Sequence, residues 1–181
     1  MEKHPLHEEI GKLLKKFAEK NKGKNVVSRL DPACGGEQQI PLFLSSKALS
    51  TRLCCVDAML LKNGKVAAVI EIEESNVKPT QICGKYLTAA LSKEYSHDNE
   101  AGSIAIEKNS VHFIQILNAS SLKPETKKEE QFLNIEAAIK GNLCGCVKSY
   151  DIICIDWEKE KHSDKLENEL YRILDQTEVS K

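Results

Sequence analysis

Residues 53–86, LCCVDAMLLKNGKVAAVIEIEESNVKPTQICGKY, decide how the chain is read. An apolar strand interrupted by one acid, Asp57, runs into the turn residues Asn63 and Gly64. A second apolar strand follows and ends in an acidic run, Glu71, Glu73 and Glu74. Beyond Lys78 and Pro79 comes a helix that presents Gln81 and Lys85. Carboxylates on strands this hydrophobic are costly unless they are paired or bind a cation. That cost makes the stretch the candidate functional site.

Side chains alternate faces along a strand, so Glu71 and Glu73 point the same way, together with Ala67 and Val69. Asp57 joins them only in the right register. A two-residue Asn-Gly turn pairs Lys62 with Lys65 and sets Asp57 opposite Ile70, on the wrong face. A three-residue loop, with Gly64 left-handed, pairs Leu61 with Lys65 and sets Asp57 opposite Val69, diagonal to Glu71. A shared site therefore predicts the longer loop, and a two-residue turn without a compensating bulge would count against it. Three carboxylates on one face, with few local cations, suit a hard divalent ion such as Mg²⁺ or Mn²⁺. Such an ion can stabilise charge on a phosphoryl oxygen and lower the pKa of a bound water. Glu73 then serves as general base or second-metal ligand. Gln81 and Lys85, four residues apart, share a helix face and could reach one scissile phosphate. The alternative is that Glu71 and Glu73 fray into solvent while Asp57 pairs with Arg52 or a backbone amide.

Outward from this stretch, Pro5, Leu6, Ile10, Leu13, Leu14 and Phe17 predict a helix over residues 5–20. Residues 22–25 end it, and Asp31-Pro32 and Gly35-Gly36 mark an irregular connection. Strands are expected at 39–44, 52–61 and 65–73, forming a three-strand antiparallel meander. A helix over 80–95 and a polar loop, His97-Asp98-Asn99-Glu100, follow. Strand 111–117, helix 127–140 closed by Gly141, strand 150–157 and a last helix capped by Ser163 complete the order. The fold class expected is α/β, a mixed β-sheet flanked by helices, with residues 1–181 as a single domain.

Asp57, a hairpin, Glu71-Ile72-Glu73 closing an apolar strand, and a helix carrying Gln81 together resemble the PD-(D/E)XK nuclease superfamily. That group includes restriction endonucleases, archaeal Holliday-junction resolvases and RecB-type nucleases. The resemblance runs from about residue 5 to residue 95 and implies a restriction-endonuclease-like core. It implies a Mg²⁺- or Mn²⁺-dependent DNA endonuclease in which Asp57, Glu71 and the Ile72 carbonyl hold the metal. Glu9 matches the place where some members keep an additional acid, and Glu37 is its rival. Val56 stands where proline is frequent. Glu73 stands where lysine is usual, as in the Glu-x-Glu minority of restriction enzymes. In other members the lysine has moved to the following helix, which makes Lys85 the better substitute and Lys78 the weaker. Gln81 with Tyr86 is similar to the Gln-x-x-x-Tyr motif of RecB-type members, with one residue more between them. Family habit also implies a homodimer. A catalytically inactive nuclease-fold module that binds nucleic acid or a protein partner is the alternative reading.

The totals agree with one domain of ordinary soluble globular composition. A chain of 181 residues can bury about 70% of its unfolded surface. With 41% hydrophobic and 29% charged residues, wholesale disorder is excluded. No run approaches the ~18 apolar residues of a membrane span, so no membrane partner is expected. The opening MEKHPLHEEI lacks a signal-peptide core, and a cytoplasmic location is the expectation. Seven cysteines, an odd number without a CxxC pair, read as buried thiols rather than as disulfides or a zinc site. The formal charge of −1 hides a basic N-terminal cluster, Lys12, Lys15, Lys16 and Lys20 among it, which could approach phosphates or form a solvated helix face. The five histidines show no metal-ligand spacing, and His112 is expected as a core or edge residue. Nucleotide-binding glycine loops and a Gly-x-Ser-x-Gly elbow are absent from the sequence.

Overall fold

In the computed structural model, which describes residues 4–75, 77–96, 102–120, 127–156 and 164–176, helix α1 (Pro5–Lys20) starts with proline at its first position and buries Leu6, Ile10, Leu14 and Phe17. Past a short 3-10 turn lies β1 (Val26–Leu30), a strand where only a helix end and an irregular connection are expected. Only Val26 and Leu30 of this edge strand are buried, so it carries no alternating pattern.

The expected meander is corrected in two ways. Residues 39–44 do supply β2 (Ile40–Phe43), but it belongs to a second sheet. The expected single strand 52–61 is two strands, β3 (Arg52–Val56) and β4 (Ala58–Lys62), broken at Asp57. β3 pairs with β2 in the small sheet, while β4 lies between β1 and β5 (Lys65–Glu73) in the large one. The antiparallel trio is therefore β1-β4-β5.

The helix expected over 80–95 is α2 (Pro79–Ala90), and the residues after it turn back as β6 (Glu94–Ser96), which pairs with β2 and with β7 (Ser103–Ala105). β8 (Val111–Asn118) lies parallel to β5, and β9 (Val147–Ile155) lies parallel to β8, with α3 (Lys128–Lys140) between them in sequence. Helix α4 (Asp164–Gln176) follows. His97, Asp98, Asn99, Glu100, Trp157 and Ser163 lie outside the described residues. The protein is thus α/β: a mixed five-stranded sheet, β1-β4-β5-β8-β9, and an antiparallel four-stranded sheet, β3-β2-β6-β7, flanked by four helices among the described residues. No described helix is long and apolar enough to cross a membrane.

Two cores lie on the two faces of the large sheet. Leu14 and Phe17 of α1 and Leu166, Leu170 and Ile173 of α4 pack with Leu60, Ile70 and Ile72 on one face. On the other, Ile82 and Tyr86 of α2 and Phe132 of α3 pack with Met59, Val69 and Phe113, and with Ile40, Leu42 and Val56 from the small sheet. One contact sets the height of α1. A Cβ on Gly11 would lie 2.0 Å from the Cys34 carbonyl oxygen, so this helix rests directly on the loop after β1. His7, one turn earlier on the same face, is thereby lowered onto the sheet edge.

His112 is fully buried on β8, as a core position, with Nδ1 2.6 Å from Ser149 Oγ and Nε2 without a partner among the described residues. Burial, with Lys148 and Arg172 nearby, pushes its pKa down to about 4. Unfolded chains protonate this imidazole near its ordinary 6.5, so the native state binds fewer protons between pH 6.5 and 4 and is destabilised as pH falls through that window. Urea denaturation of wild type and His112→Asn should show the difference in stability between them moving in the variant's favour by up to ~3 kcal/mol from pH 7 to pH 4. A pH-independent difference would mean that the folded imidazole keeps its ordinary pKa.

Candidate active site

The hairpin between β4 and β5 decides which face Asp57 takes. The turn has two residues, not the predicted three: Lys62 pairs with Lys65, and Asn63 (φ 52°) and Gly64 (φ 74°) are both left-handed. The register then shifts, because Leu61 pairs with Val66 but Leu60 with Ala68, leaving Ala67 as an extra residue. From there Met59 pairs with Val69 and Ala58 with Ile70. Extending that register by one residue sets Asp57 across from Glu71, on its face. The bulge at Ala67 thus supplies the compensation that a short turn requires.

β4 begins only at Ala58, so β5 runs past it, and the edge of residues 71–73 on that side has no strand partner among the described residues. Asp57 covers it. Its Oδ2 accepts the Ile72 N–H at 2.7 Å, while its backbone carbonyl accepts the Asp31 N–H at 2.9 Å. The pairing of Asp57 with a backbone amide, one of the two alternatives, is therefore present. Arg52 is engaged elsewhere, donating to Gln39 Oε1 at 2.7 Å.

Lys85 reaches down from α2 into the acids. Its Nζ lies 2.8 Å from Glu71 Oε2, 2.9 Å from Glu73 Oε1 and 3.8 Å from Asp57 Oδ2. Glu71 is only 2% exposed, whereas the Lys85 side chain is 33% exposed, so the ammonium forms the solvent side of the cluster. Neither glutamate frays into water. The Lys85–Glu73 contact has ion-pair distance without hydrogen-bond direction, and Glu73 Oε1 is buried with no directed donor.

These contacts separate the protonation states. Burial raises the Glu71 carboxyl to about 8; the Asp57 charge adds to the rise and Lys85 opposes it. Burial also acts to raise Asp57, but the His7 imidazole 3.7 Å away, the Lys85 charge and the Ile72 N–H together hold it below the ordinary carboxylate range. Burial alone would lower Lys85, and the surrounding carboxylates, Glu71 foremost, reverse this and push it up. Two neighbouring acids with opposite shifts are the pattern of groups given different tasks.

The other sequence candidates stand apart from the cluster. Gln81 Oε1 accepts the Lys78 N–H at 3.0 Å and so closes the start of α2. Tyr86 is a core residue whose hydroxyl accepts the Cys144 N–H at 3.0 Å. Glu9 bonds Lys12 at 2.6 Å on the outer side of α1, and Glu37 is exposed on the loop before β2. Lys12, Lys15, Lys16 and Lys20 are exposed on α1; Lys15 donates to the Gly35 carbonyl and Lys20 lies 3.7 Å from Glu167.

His7 and Glu74 are the participants that the sequence reading missed. His7 Nε2 lies 3.7 Å from Asp57 Oδ2, and Glu74 Oε1 lies 3.0 Å from both His7 Nδ1 and the His7 backbone N. Burial would lower the His7 pKa, yet Asp57 and Glu74 hold it at about 8. The available signal was position: His7 falls on the buried stripe of α1, one turn before Gly11.

Removing the ammonium leaves buried carboxylates facing one another. Lys85→Met should therefore lose roughly 2–3 kcal/mol of stability to urea at pH 7, and Glu71→Gln added to it should recover part of the loss. A Lys85→Met variant as stable as wild type would show that this lysine does not organise the cluster. No protein-family model, no curated protein and no solved structure matches the chain.

Proposed function

We propose that this protein is a divalent-metal-dependent phosphodiesterase that cleaves DNA, an endonuclease of restriction or resolvase type built on a restriction-endonuclease-like core. The observation that carries the reading is the convergence of Asp57, Glu71 and Glu73 on the Lys85 ammonium at the overhanging end of β5. The lysine usual at the Glu73 position would then come from α2.

The donor set fits Mg²⁺ or Mn²⁺. When ionised, the three carboxylates exceed the one ammonium by two negative charges, the charge of one divalent ion. Glu73 Oε1 is a buried acceptor without a directed donor. A residue's N–H and C=O leave a strand on the same edge, so the Ile72 carbonyl shares the open edge where its N–H meets Asp57. Asp57, Glu71 and the Ile72 carbonyl would hold the ion, which when bound polarises a phosphoryl oxygen and acidifies a water. Lys85, the group nearest solvent, would neutralise charge on the scissile phosphate. Glu73 would accept the proton of the attacking water.

On the DNA side, Lys12, Lys15 and Lys20 hold weak surface partners that phosphates can replace at small cost, and Lys16 is exposed on the same helix. A homodimer would bring two such sites to the two strands. The inactive alternative, a nuclease-fold module that only binds nucleic acid or a protein partner, is favoured by one observation: Lys85 pairs directly with Glu71 and Glu73, at 2.8 Å and 2.9 Å.

Supercoiled, branched and single-stranded DNA incubated with Mg²⁺ or Mn²⁺ separates these readings. Wild type should cut at least one of them, and Asp57→Ala and Lys85→Ala should each slow cleavage on the order of 100-fold or more. DNA binding without cleavage under both ions would support the inactive module, and neither binding nor cleavage would sink both.

A further inference from the structure

Beside the acidic cluster, three metal-ligating side chains of a different chemistry meet at the start of α1. His4 Nδ1 lies 3.7 Å from Glu74 Oε2, His7 Nδ1 lies 3.0 Å from Glu74 Oε1, and the three ligand atoms fall within 4.8 Å of one another. We propose that His4, His7 and Glu74 form a second metal site, selective for a transition ion of the Zn²⁺ or Co²⁺ class, separate from the carboxylate site for Mg²⁺. The site does not depend on the nuclease reading, because that reading assigns none of these three residues to the Mg²⁺ or to the phosphate.

Ligand type sets the selectivity. Two imidazoles and one carboxylate suit Zn²⁺ or Co²⁺, whereas Mg²⁺ prefers oxygen donors. The spacing is also suitable, since ligand atoms about 2 Å from a tetrahedral ion lie ~3.3 Å apart, and small side-chain adjustments span the difference. His4 and His7 are three residues apart, so the first turn of α1 presents both rings on one side. His4 is the N-cap residue, yet its ring makes no capping hydrogen bond and remains available.

Surrounding contacts orient the ligands as metal sites require. His7 turns its other nitrogen, Nε2, toward the Asp57 carboxylate, and its backbone N–H bonds Glu74 Oε1. The opposing term is the α1 dipole, which places roughly half a positive charge at this end. Two carboxylates, Glu74 and Asp57, outweigh it. The His4 side chain is 43% exposed, which leaves an entry path and a coordination position for water.

The test is Co²⁺ and Zn²⁺ titration of the full chain, free of any polyhistidine tag, followed by visible absorption of Co²⁺ and by calorimetry. Wild type and Glu71→Gln should each bind one ion with a Co²⁺ absorption band that excess Mg²⁺ does not remove. His4→Ala and Glu74→Gln should weaken binding at least about tenfold while keeping the wild-type circular dichroism. His4 is exposed, so its variant tests the site even if Glu74→Gln disturbs the fold. Absence of Co²⁺ and Zn²⁺ binding by wild type would overturn the proposal. So would undiminished binding by His4→Ala, or loss of binding in Glu71→Gln alone, which would assign the ion to the acidic cluster.

Discussion

Asp57 stands where one extended segment passes from one sheet to another, and it mends the break it occupies. The chain before it pairs with β2 and the chain after it pairs with β1 and β5. Such a transfer leaves backbone groups on both sides without strand partners, each a penalty of a few kcal/mol if buried and unmet. The Asp57 carbonyl takes the Asp31 N–H and its carboxylate takes the Ile72 N–H. An apolar residue here would satisfy only the first. The acid in the middle of an apolar run is therefore a structural requirement of the split before it is a chemical group, and it is committed to the ionised form by the hydrogen bonds that its position demands.

That commitment propagates to its neighbours. An ionised Asp57 across from Glu71 raises the cost of a second buried charge, and Glu71 responds with a pKa of about 8. Lys85 enters from α2 to offset both, at 2.8 Å from Glu71 and 2.9 Å from Glu73. His7 enters from α1 on the other side and is held in the charged form. A lysine at the end of β5 in place of Glu73 would supply a similar positive charge, but from the strand itself and without tying α2 to the sheet. Supplying it from a helix makes the cluster also a clasp between α2 and the end of β5.

Much of this was legible in the sequence and some was not, for physical reasons. The acids, the hairpin at Asn63-Gly64, the helix bearing Lys85 and the later alternation of strand and helix are local patterns, and local patterns determine element type. The bulge at Ala67 is not local. A small apolar residue within an apolar run gives no periodic sign of it, so the correct face for Asp57 was inferred through the wrong loop length. β1 was missed because an edge strand with two buried residues has no alternation to detect. The break at Asp57 was hidden because β3 and β4 are both apolar, and a change of sheet leaves no compositional mark. His7 was passed over because its partners are 50 and 67 residues away and histidine spacing alone does not reveal a carboxylate across the fold.

The small sheet explains why the end of β5 is open at all. Had residues 52–62 continued as one strand, they would have paired with β5 through Glu73 and buried the Ile72 backbone in a ladder. Instead Val56 leaves with β3, and with Ile40 and Leu42 it packs into the same core as Ile82, Tyr86 and Ala89 of α2. That packing holds β3 away from the large sheet and at the same time seats the helix that carries Lys85. On the opposite face, the contact of Gly11 with the Cys34 carbonyl seats α1 low enough for His7 to reach Asp57. Two helices from two cores thus meet at one strand edge that a side chain, rather than a strand, covers. Side chains alternating along β5 divide between them: Glu71 and Glu73 face α2, and Glu74, just past the strand, turns to α1. The two sets of side chains lie side by side yet differ in chemistry because they belong to opposite faces of one strand, joined through Asp57.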